Sequence, residues 1–397
     1  MITTDASLLG DRWAGLRPTA VNSILADVRA VQASGRDVVS LMRGEPDFRT
    51  PPHIIAAATD ALAKGRTGYP DNRGEPTLRE AVAAKLSRDN SLSYDPGAEI
   101  LVTTGATFGI YAALMAVLRE GDEVLLPDPI YDAYRSPVVL AGGQVRPVRA
   151  PIHGGRFVLD PEALSAAVTP RSRVLLLNSP WNPAGTVFTE SELRAIGDFV
   201  VRHNLVLVSD EIYEAIVYET HRHVSPAALS AEVRSRTILV NSLSKTYAMT
   251  GWRVGYCAAP NAFIRAMFLV LQQSSRGPAT FVQDAAAAAL AGSQECVEQM
   301  RTEYAGRRAT VLSALSGVGR VRALAPEGGF FSMVDARDTG VSSNSIRRRL
   351  LQDHGVVVVH GSAYGDGGEG TLRVSFASGG DVLEKGLQRL REGLAAL

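Results

Sequence analysis

The chain has 397 residues, of which 46% are hydrophobic and 21% charged, and these proportions are typical of a folded globular protein rather than a disordered one. Its 41 basic residues balance its 41 acidic residues, so the composition lacks the basic excess that binding to nucleic acid or to an anionic membrane requires. We therefore expect neither partner. The chain is long enough for two or three domains.

The cysteine content favours a reducing compartment. Cys257 and Cys296 are the two cysteines, too few for a disulfide framework or a thiolate metal site. The first residues, MITTDASLLGDRWAGLRP, include acidic side chains and no apolar stretch of signal-peptide length. Cytoplasmic localisation is the resulting expectation.

From about Glu99 onward, short β-rich runs alternate with helical patterns. The runs are EILVTTGA, EVLLPDP, QVRPVRAP, RVLLLNSP, NLVLVSDEIY, RTILVNSLSK and RVGYCAAP. This alternation predicts an α/β domain whose seven-stranded sheet is mostly parallel and flanked by helices. Ligands of such sheets bind beyond the carboxyl ends of the strands, so the residues that follow each run are the first candidates for a site.

After about Ala288 the pattern changes. A long helical stretch, ECVEQMRTEYAGRRATVLSAL, precedes short strands around FFSMVDA, GVVVVH and TLRVSFAS and a final helix. This order predicts a smaller α+β domain, and we expect the residues before Gly44 to pack with it. The predicted domains are residues 45–287 for the large one, and 1–44 with 288–397 for the small one.

The stretch NSLSKTYAMTGWRVG places Lys245 directly after a predicted buried strand. Loss of hydration there disfavours the ammonium form and frees a neutral, nucleophilic amine. Lysines of this kind form Schiff bases with carbonyl substrates or with pyridoxal phosphate, and the second use also needs an anion site. Ser242, Ser244 and Arg253 supply candidate groups for that anion site.

The segment from Ser242 to Gly255 resembles the lysine motif of class I and II aminotransferases of the aspartate aminotransferase type, which are pyridoxal-phosphate enzymes of fold type I. The resemblance runs from GEPDF at 44–48 to LRVSFAS at 372–378. It implies pyridoxal phosphate as cofactor, with Lys245 as the catalytic Schiff-base lysine. It also implies ping-pong transfer of an amino group from an L-amino acid to a 2-oxo acid, most often 2-oxoglutarate.

The pyridine ring of that cofactor needs specific partners. A carboxylate that faces the ring nitrogen keeps it protonated, and Asp210, at the end of LVLVSDEIY, takes this catalytic role in the resemblance. Tyr213 and Asn182 resemble the residues that hydrogen-bond the phenolic oxygen, which makes Tyr213 a further catalytic candidate, and Asn182 is also a candidate for substrate binding. Tyr131 aligns with the aromatic residue that stacks on the ring, and Tyr134 is the alternative.

The phosphate also has candidate partners. TTGATFGIYAAL predicts a turn at the start of a helix, where backbone N–H groups favour a bound anion. The resemblance assigns phosphate contacts to Gly105, Ala106, Thr107, Ser242 and Arg253. It further implies a homodimer in which Tyr69, in GYPDNRG, reaches the phosphate of the neighbouring subunit.

Two residues are candidates for binding the α-carboxylate of the substrate. Arg373, in LRVSFAS, resembles the family's carboxylate-binding arginine, and a guanidinium group holds a carboxylate through two parallel hydrogen bonds. Gly44 would offer its backbone N–H to the same group. Because Arg373 and Lys245 fall in different predicted domains, we expect substrate binding to draw the domains together.

The substrate side chain also has candidate partners. Thr107 stands where one bacterial subgroup has a lysine for a distal carboxylate. Arg276, in the segment QQSSRGPAT that relatives contribute across the dimer, could replace that charge. Arg135 is an alternative, and Phe330 is expected to line the same pocket.

Other functions stay open at this stage. A carbon–sulfur β-lyase, or another reaction of fold type I, uses the same scaffold. A non-catalytic protein that senses pyridoxal phosphate or amino acids is a third possibility. We expect no metal site, because HRH at 221–223 has no further ligands at helpful spacing.

Overall fold

The structure, a computed structural model, describes residues 15–16 and 18–397. Its helices, apart from short 3-10 turns, are α1 (Ala20–Ala33), α2 (Pro52–Ala63), α3 (Pro76–Asn90), α4 (Ala106–Val117), α5 (Arg135–Leu140), α6 (Pro161–Ala167), α7 (Glu190–Arg202), α8 (Ala231–Arg234), α9 (Leu243–Thr246), α10 (Asn261–Gln272), α11 (Thr280–Ala291), α12 (Glu295–Ala314), α13 (Ser343–His354) and α14 (Gly380–Ala395). Its strands are β1 (Val39–Ser40), β2 (Ile100–Thr103), β3 (Glu123–Asp128), β4 (Gln144–Arg149), β5 (Ile152–His153), β6 (Arg156–Phe157), β7 (Ser172–Asn178), β8 (Val206–Asp210), β9 (Thr237–Ser242), β10 (Gly255–Ala258), β11 (Arg322–Ala323), β12 (Phe331–Asp335), β13 (Val356–Val357), β14 (Val359–His360) and β15 (Thr371–Ser375). None of these helices is long and apolar enough to cross a membrane.

Seven strands form one sheet in the order β2-β10-β9-β8-β7-β3-β4. Each strand corresponds to one of the seven apolar runs of the sequence. Among them, β10 alone runs antiparallel to its neighbours, whereas the pairs β3–β4, β3–β7, β7–β8 and β8–β9 are parallel. The expected α/β fold with a mostly parallel seven-stranded sheet is therefore confirmed.

Helices cover both faces of this sheet. Alternate side chains of β7 enter different cores: Val174 and Leu176 pack with residues of α4 and α10, and Leu175 and Leu177 pack with residues of α6 and α7. Helices α2, α3 and α11 form a third core against β2 and β10. Burial on both faces explains why these strands read as continuous apolar runs instead of alternating patterns.

The C-terminal part forms a second, antiparallel sheet in the order β11-β12-β15-β14. The N-terminal segment packs on it, because β1 pairs in parallel with β13 and α1 buries Ile24 and Val28 against residues of α13 and β14. The described residues of this segment therefore pack with the C-terminal part. The exact boundaries at 44/45 and 287/288 stay a prediction.

Candidate active site

The carboxyl ends of β7, β8 and β9 lie side by side, and each ends in a polar residue. Asn178 is opposite Asp210 in the sheet register, and Ser242 ends the next strand. A cavity of about 490 Å³ opens beyond this edge, bordered by the strand ends, the start of α4 and the segment around Gly44. Its position is the one that ligands of open parallel sheets occupy, and its size suits a small molecule.

Lys245 lies in α9, the single-turn helix that follows β9, and its side chain borders the cavity. Its Nζ donates to the carbonyl oxygen of Gly44 at 2.6 Å and lies 5.9 Å from the centre of the Phe330 ring. The side chain is half-buried by surface area because it faces the cavity, yet the surrounding walls lower the pKa of its amine to about 8 through loss of hydration. The amine is therefore partly neutral, and thus nucleophilic, near neutral pH.

Asp210 is buried at the end of β8 and borders the same cavity. Burial raises the pKa of its carboxyl to about 6, although the Tyr134 hydroxyl, which donates to Oδ2 at 2.6 Å, acts in the opposite direction. This contact gives Tyr134 a role other than ring stacking. Tyr131 lies in the cavity wall, with its ring edge-on to that of Tyr134 at 5.2 Å between centroids, so it is the better placed of the two for stacking.

Asn182 and Tyr213 both border the cavity and are nearly fully buried. Asn178, which the sequence analysis missed, connects the loops around them. Its amide donates to the carbonyl oxygen of Asp210 at 2.9 Å, and its Oδ1 accepts from the backbone N–H of Asn182 at 2.7 Å. The sequence could have indicated Asn178, because it ends the run RVLLLN, where a polar residue follows a buried strand.

Trp181, which precedes Asn182, points away from the cavity, because its indole N–H donates to the carbonyl oxygen of Pro129 at 3.1 Å.

The start of α4 forms one end of the cavity. Gly105, the N-cap, has a φ of 84°, in the left-handed region that glycine adopts without strain. A Cβ at this position would lie 2.6 Å from Nη2 of Arg253. Ala106, Thr107 and Arg253 border the cavity, so the helix N-terminus and a guanidinium group face the same space. That combination suits a phosphate dianion.

Ser242 lies just outside this lining, whereas Ser244 borders the cavity. The hydroxyl oxygen of Ser242 is 2.9 Å from the carbonyl oxygen of Val254 and 2.8 Å from Oγ of Ser244. It also accepts from the backbone N–H of Ser244 at 3.1 Å and so caps α9. Ser244 therefore borders the cavity, and contact of Ser242 with a bound phosphate stays a prediction.

Arg373, on β15, borders an adjoining cavity of about 260 Å³ together with Gly44, Tyr131 and Asn182. Its Nη1 donates to Oδ1 of Asn182 at 3.2 Å and its Nη2 to the carbonyl oxygen of Met42 at 3.1 Å. Its Nε is buried and has no hydrogen-bond partner within the described chain. Within residues 15–16 and 18–397, this buried guanidinium has no acidic partner in hydrogen-bonding contact, which suits a substrate carboxylate.

Phe330, Tyr69 and Arg276 also lie outside the cavity lining. Phe330 is fully buried and packs edge-on against Tyr213 at 5.5 Å. Tyr69 is 90% exposed, and the guanidinium of Arg276 lies 5.9 Å from the centre of its ring. Within one chain, Tyr69 and Arg276 therefore lie together on the surface, apart from Lys245. Arg135, the alternative to Arg276, begins α5 and is not part of the lining either.

These residues fit pyridoxal phosphate. The cavity combines a partly neutral amine on Lys245 with a buried carboxylate on Asp210 that has no cation of the described residues in hydrogen-bonding contact. Next to it, the space between Gly105 and Arg253, which a Cβ on Gly105 would fill, suits an anion. A protonated pyridine nitrogen would supply the cation that Asp210 lacks. Lys245, Asp210 and Arg253 would hold the aldehyde carbon, the ring nitrogen and the phosphate, respectively.

Comparison with known proteins agrees with this site. Residues 36–390 match the family model described as aminotransferase class I and II. Aspartate aminotransferase of Geobacillus stearothermophilus is 37% identical over 393 residues, which cover 98% of this chain and 99% of that protein. Aromatic-amino-acid aminotransferase 2 of Thermococcus litoralis is 39% identical over 389 residues, covering 97% and 98%.

A solved structure is equally similar. Aspartate aminotransferase of Thermus thermophilus with maleate superimposes with a TM-score of 0.91 at 38% identity, covering 97% of this chain and 99% of that chain. Sequence and fold thus agree over nearly the full length of the chain. The chain belongs to the class I and II aminotransferases, the family that its lysine motif resembles.

Proposed function

We propose that this protein transfers the amino group of an L-amino acid to a 2-oxo acid, with 2-oxoglutarate as the usual acceptor. The observation that carries the proposal is one continuous site in which Lys245 and Asp210 border a cavity and Arg373 borders the space next to it. Gly44 and Asn182 border both cavities and join them. A substrate whose carboxylate binds Arg373 would therefore place its amino group towards Lys245.

Each residue has a distinct task in this mechanism. Bound pyridoxal phosphate stabilises the negative charge that develops on the substrate Cα when its proton leaves. Asp210 would keep the pyridine nitrogen protonated, and Tyr213 and Asn182 would donate to the phenolic oxygen. Lys245 would take the proton from the substrate Cα at its Nζ and later give it up again. Its lowered pKa suits this exchange near neutral pH.

A single-turnover panel tests the proposal. Purified protein loaded with pyridoxal phosphate is mixed with individual amino acids, without any oxo acid, while the absorption of the bound cofactor is followed. An aminotransferase changes that absorption once and releases one oxo acid per site, and adding 2-oxoglutarate restores the starting spectrum. Continuous release of pyruvate and ammonia from a thioether amino acid would instead identify a β-lyase. Lys245→Ala is the matched negative control.

The identity of the amino donor needs a separate argument, because the relatives named above include an aspartate and an aromatic-amino-acid aminotransferase. For a distal carboxylate we propose Arg276 of the neighbouring subunit. Support comes from its exposure beside Tyr69 and from Thr107, which offers no positive charge in the lining. Arg276→Ala should lower kcat/KM for aspartate more than for phenylalanine. Equal losses for both donors would exclude this role.

We further propose a homodimer with Tyr69 at the neighbouring phosphate, and closure of the two domains on substrate binding. A tyrosine that is 90% exposed suits an interface residue. Light scattering gives the mass of the particle in solution, and Tyr69→Phe should weaken pyridoxal phosphate binding only if the hydroxyl reaches a cofactor.

Small-angle scattering with and without a dicarboxylate inhibitor tests closure of the two domains. Cytoplasmic localisation stays a prediction from the cysteine content.

A further inference from the structure

A second cavity, of about 510 Å³, lies on the reverse side of α9, where Ser242, Leu243 and Thr246 contribute to its wall. Cationic and anionic side chains border it together, including Lys85, Glu214 and Arg301. This mixture of charge does not select one class of ligand. The buried polar groups at its wall nevertheless connect directly to the elements that carry Tyr213 and Lys245.

Glu214 is the centre of this connection. It directly follows Tyr213, and its side chain is 10% exposed. Oε1 accepts from Nδ2 of Asn241 at 2.6 Å and also contacts the Lys85 ammonium, and Oε2 accepts from Nδ2 of Asn90 at 2.8 Å. Burial is the largest single effect and opposes ionisation of Glu214, but the Lys85 ammonium, the nearby His223 and the hydrogen bonds from Lys85 and Asn90 together hold the pKa of the carboxyl below its ordinary value. Glu214 is thus a buried anion with partners on both oxygens.

The partners of Glu214 belong to different elements. Lys85 and Asn90 lie on α3, and Lys85 also donates to Oδ1 of Asn90 at 2.8 Å. Asn241 lies on β9, and its Oδ1 accepts from the backbone N–H of Ser242 at 2.7 Å, immediately before α9. One carboxylate therefore joins the loop of Tyr213 to the strand that leads into Lys245, and anchors both to α3.

A metal ion is not required by this arrangement. Glu211, Glu214 and His223 bring donor atoms within 4.8 Å of one another. However, the Nε2 of His223 lies 3.0 Å from Oε2 of Glu211, and the hydroxyls of Ser209 and Ser225 each donate to Oε1 of Glu211 at 2.8 Å. Because the Lys85 ammonium already supplies a positive charge at Glu214, the protein itself satisfies these carboxylates.

We infer that Glu214 is a positioning residue: it sets the geometry of Tyr213 relative to Lys245 without touching cofactor or substrate. This rests on the proposed function, since Tyr213 is taken to donate to the phenolic oxygen of the cofactor. Such hydrogen bonds stabilise the deprotonated cofactor and lower the pH at which its absorption changes. A displaced Tyr213 should therefore raise that pH.

The test is a pH titration of the absorption of bound pyridoxal phosphate in Glu214→Gln. We expect the midpoint to rise by about one pH unit, the effect of weakening one hydrogen bond to a charged group. The matched control is Glu123→Gln. Glu123 is 3% exposed and lies at the opposite, amino-terminal end of β3, where its carboxylate accepts from Thr169 and Arg171 at 2.7 and 3.0 Å. Its variant should keep the wild-type midpoint.

A second variant covers the case in which Glu214→Gln does not fold. Asn241→Ala leaves the contact between Glu214 and Lys85 in place, removes the link to β9, and should shift the midpoint in the same direction. An unshifted midpoint in the folded variants would overturn the inference, as would an equal shift in Glu123→Gln. If the wild-type protein showed no absorption from bound cofactor, the proposed function would fail, and this inference with it.

Discussion

The rate at which the protein without cofactor captures pyridoxal phosphate should depend on pH through Lys245. An ordinary lysine has a pKa of 10.5, and burial lowers that of Lys245 to about 8. At about pH 7.5 an ordinary lysine is neutral in about one molecule in a thousand, whereas Lys245 is neutral in about one quarter. The neutral fraction is therefore roughly two hundredfold larger for Lys245. Since the neutral amine is the nucleophile, capture should accelerate with pH and level off just above pH 8.

The assay is rapid mixing of the cofactor-free protein with excess pyridoxal phosphate, followed by absorption across the pH range. Lys245→Ala reports the background from surface lysines. Glu45, whose negative charge raises the pKa of Lys245, offers a second perturbation: Glu45→Gln should move the plateau to lower pH. A capture rate that rose continuously towards pH 10, as for an ordinary lysine, would refute the reasoning.

Three further substitutions test other parts of the site. Gly105→Ala should weaken pyridoxal phosphate binding by about tenfold or more, because its Cβ would lie 2.6 Å from Arg253 at a φ of 84°. Tyr134→Phe removes a donor to Asp210, so the pKa of that carboxyl should rise above 6 by about one to two units. Arg373→Lys should lower kcat/KM for the amino acid by about a hundredfold, because the two-pronged guanidinium contact is lost.

Each of these substitutions has its own measurement and control. Equilibrium binding of pyridoxal phosphate checks Gly105→Ala, and Gly306→Ala, where a Cβ meets no atom within 4 Å, should bind normally. For Tyr134→Phe, affinity should fall at about pH 7 and recover at about pH 9, where Asp210 is ionised in both proteins; a loss independent of pH contradicts the assignment. For Arg373→Lys, a change in cofactor binding as large as the change in kcat/KM would contradict a substrate-specific role.

The fold could be predicted in detail because its central strands are buried on both faces. Runs such as RVLLLN and NLVLVSD have no alternating polar positions, and they became β7 and β8. The same reasoning directed attention to the strand ends, and Lys245 and Asp210 indeed border the cavity there.

Some features of the site depend on geometry that the sequence does not display. Ser242 and Ser244 are equivalent as residue types, and the single turn of α9 decides that Ser244 faces the cavity. The hydrogen bond from Tyr134 to Asp210 joins residues 76 positions apart in the chain. Tyr69 was predicted only through the family resemblance, because its proposed contacts involve a second subunit.

The hydrogen bond between Arg373 and Asn182 connects the arginine proposed to bind the substrate carboxylate with an amide beside the cofactor space. When an incoming carboxylate engages the guanidinium, the amide of Asn182 must share or surrender that donor, and the same amide borders the space for the cofactor ring. We therefore expect carboxylate binding at Arg373 to change the hydrogen bonding of Asn182 next to the space for the cofactor ring. A simple amine lacks the acid group and should leave the hydrogen bond between Arg373 and Asn182 unchanged.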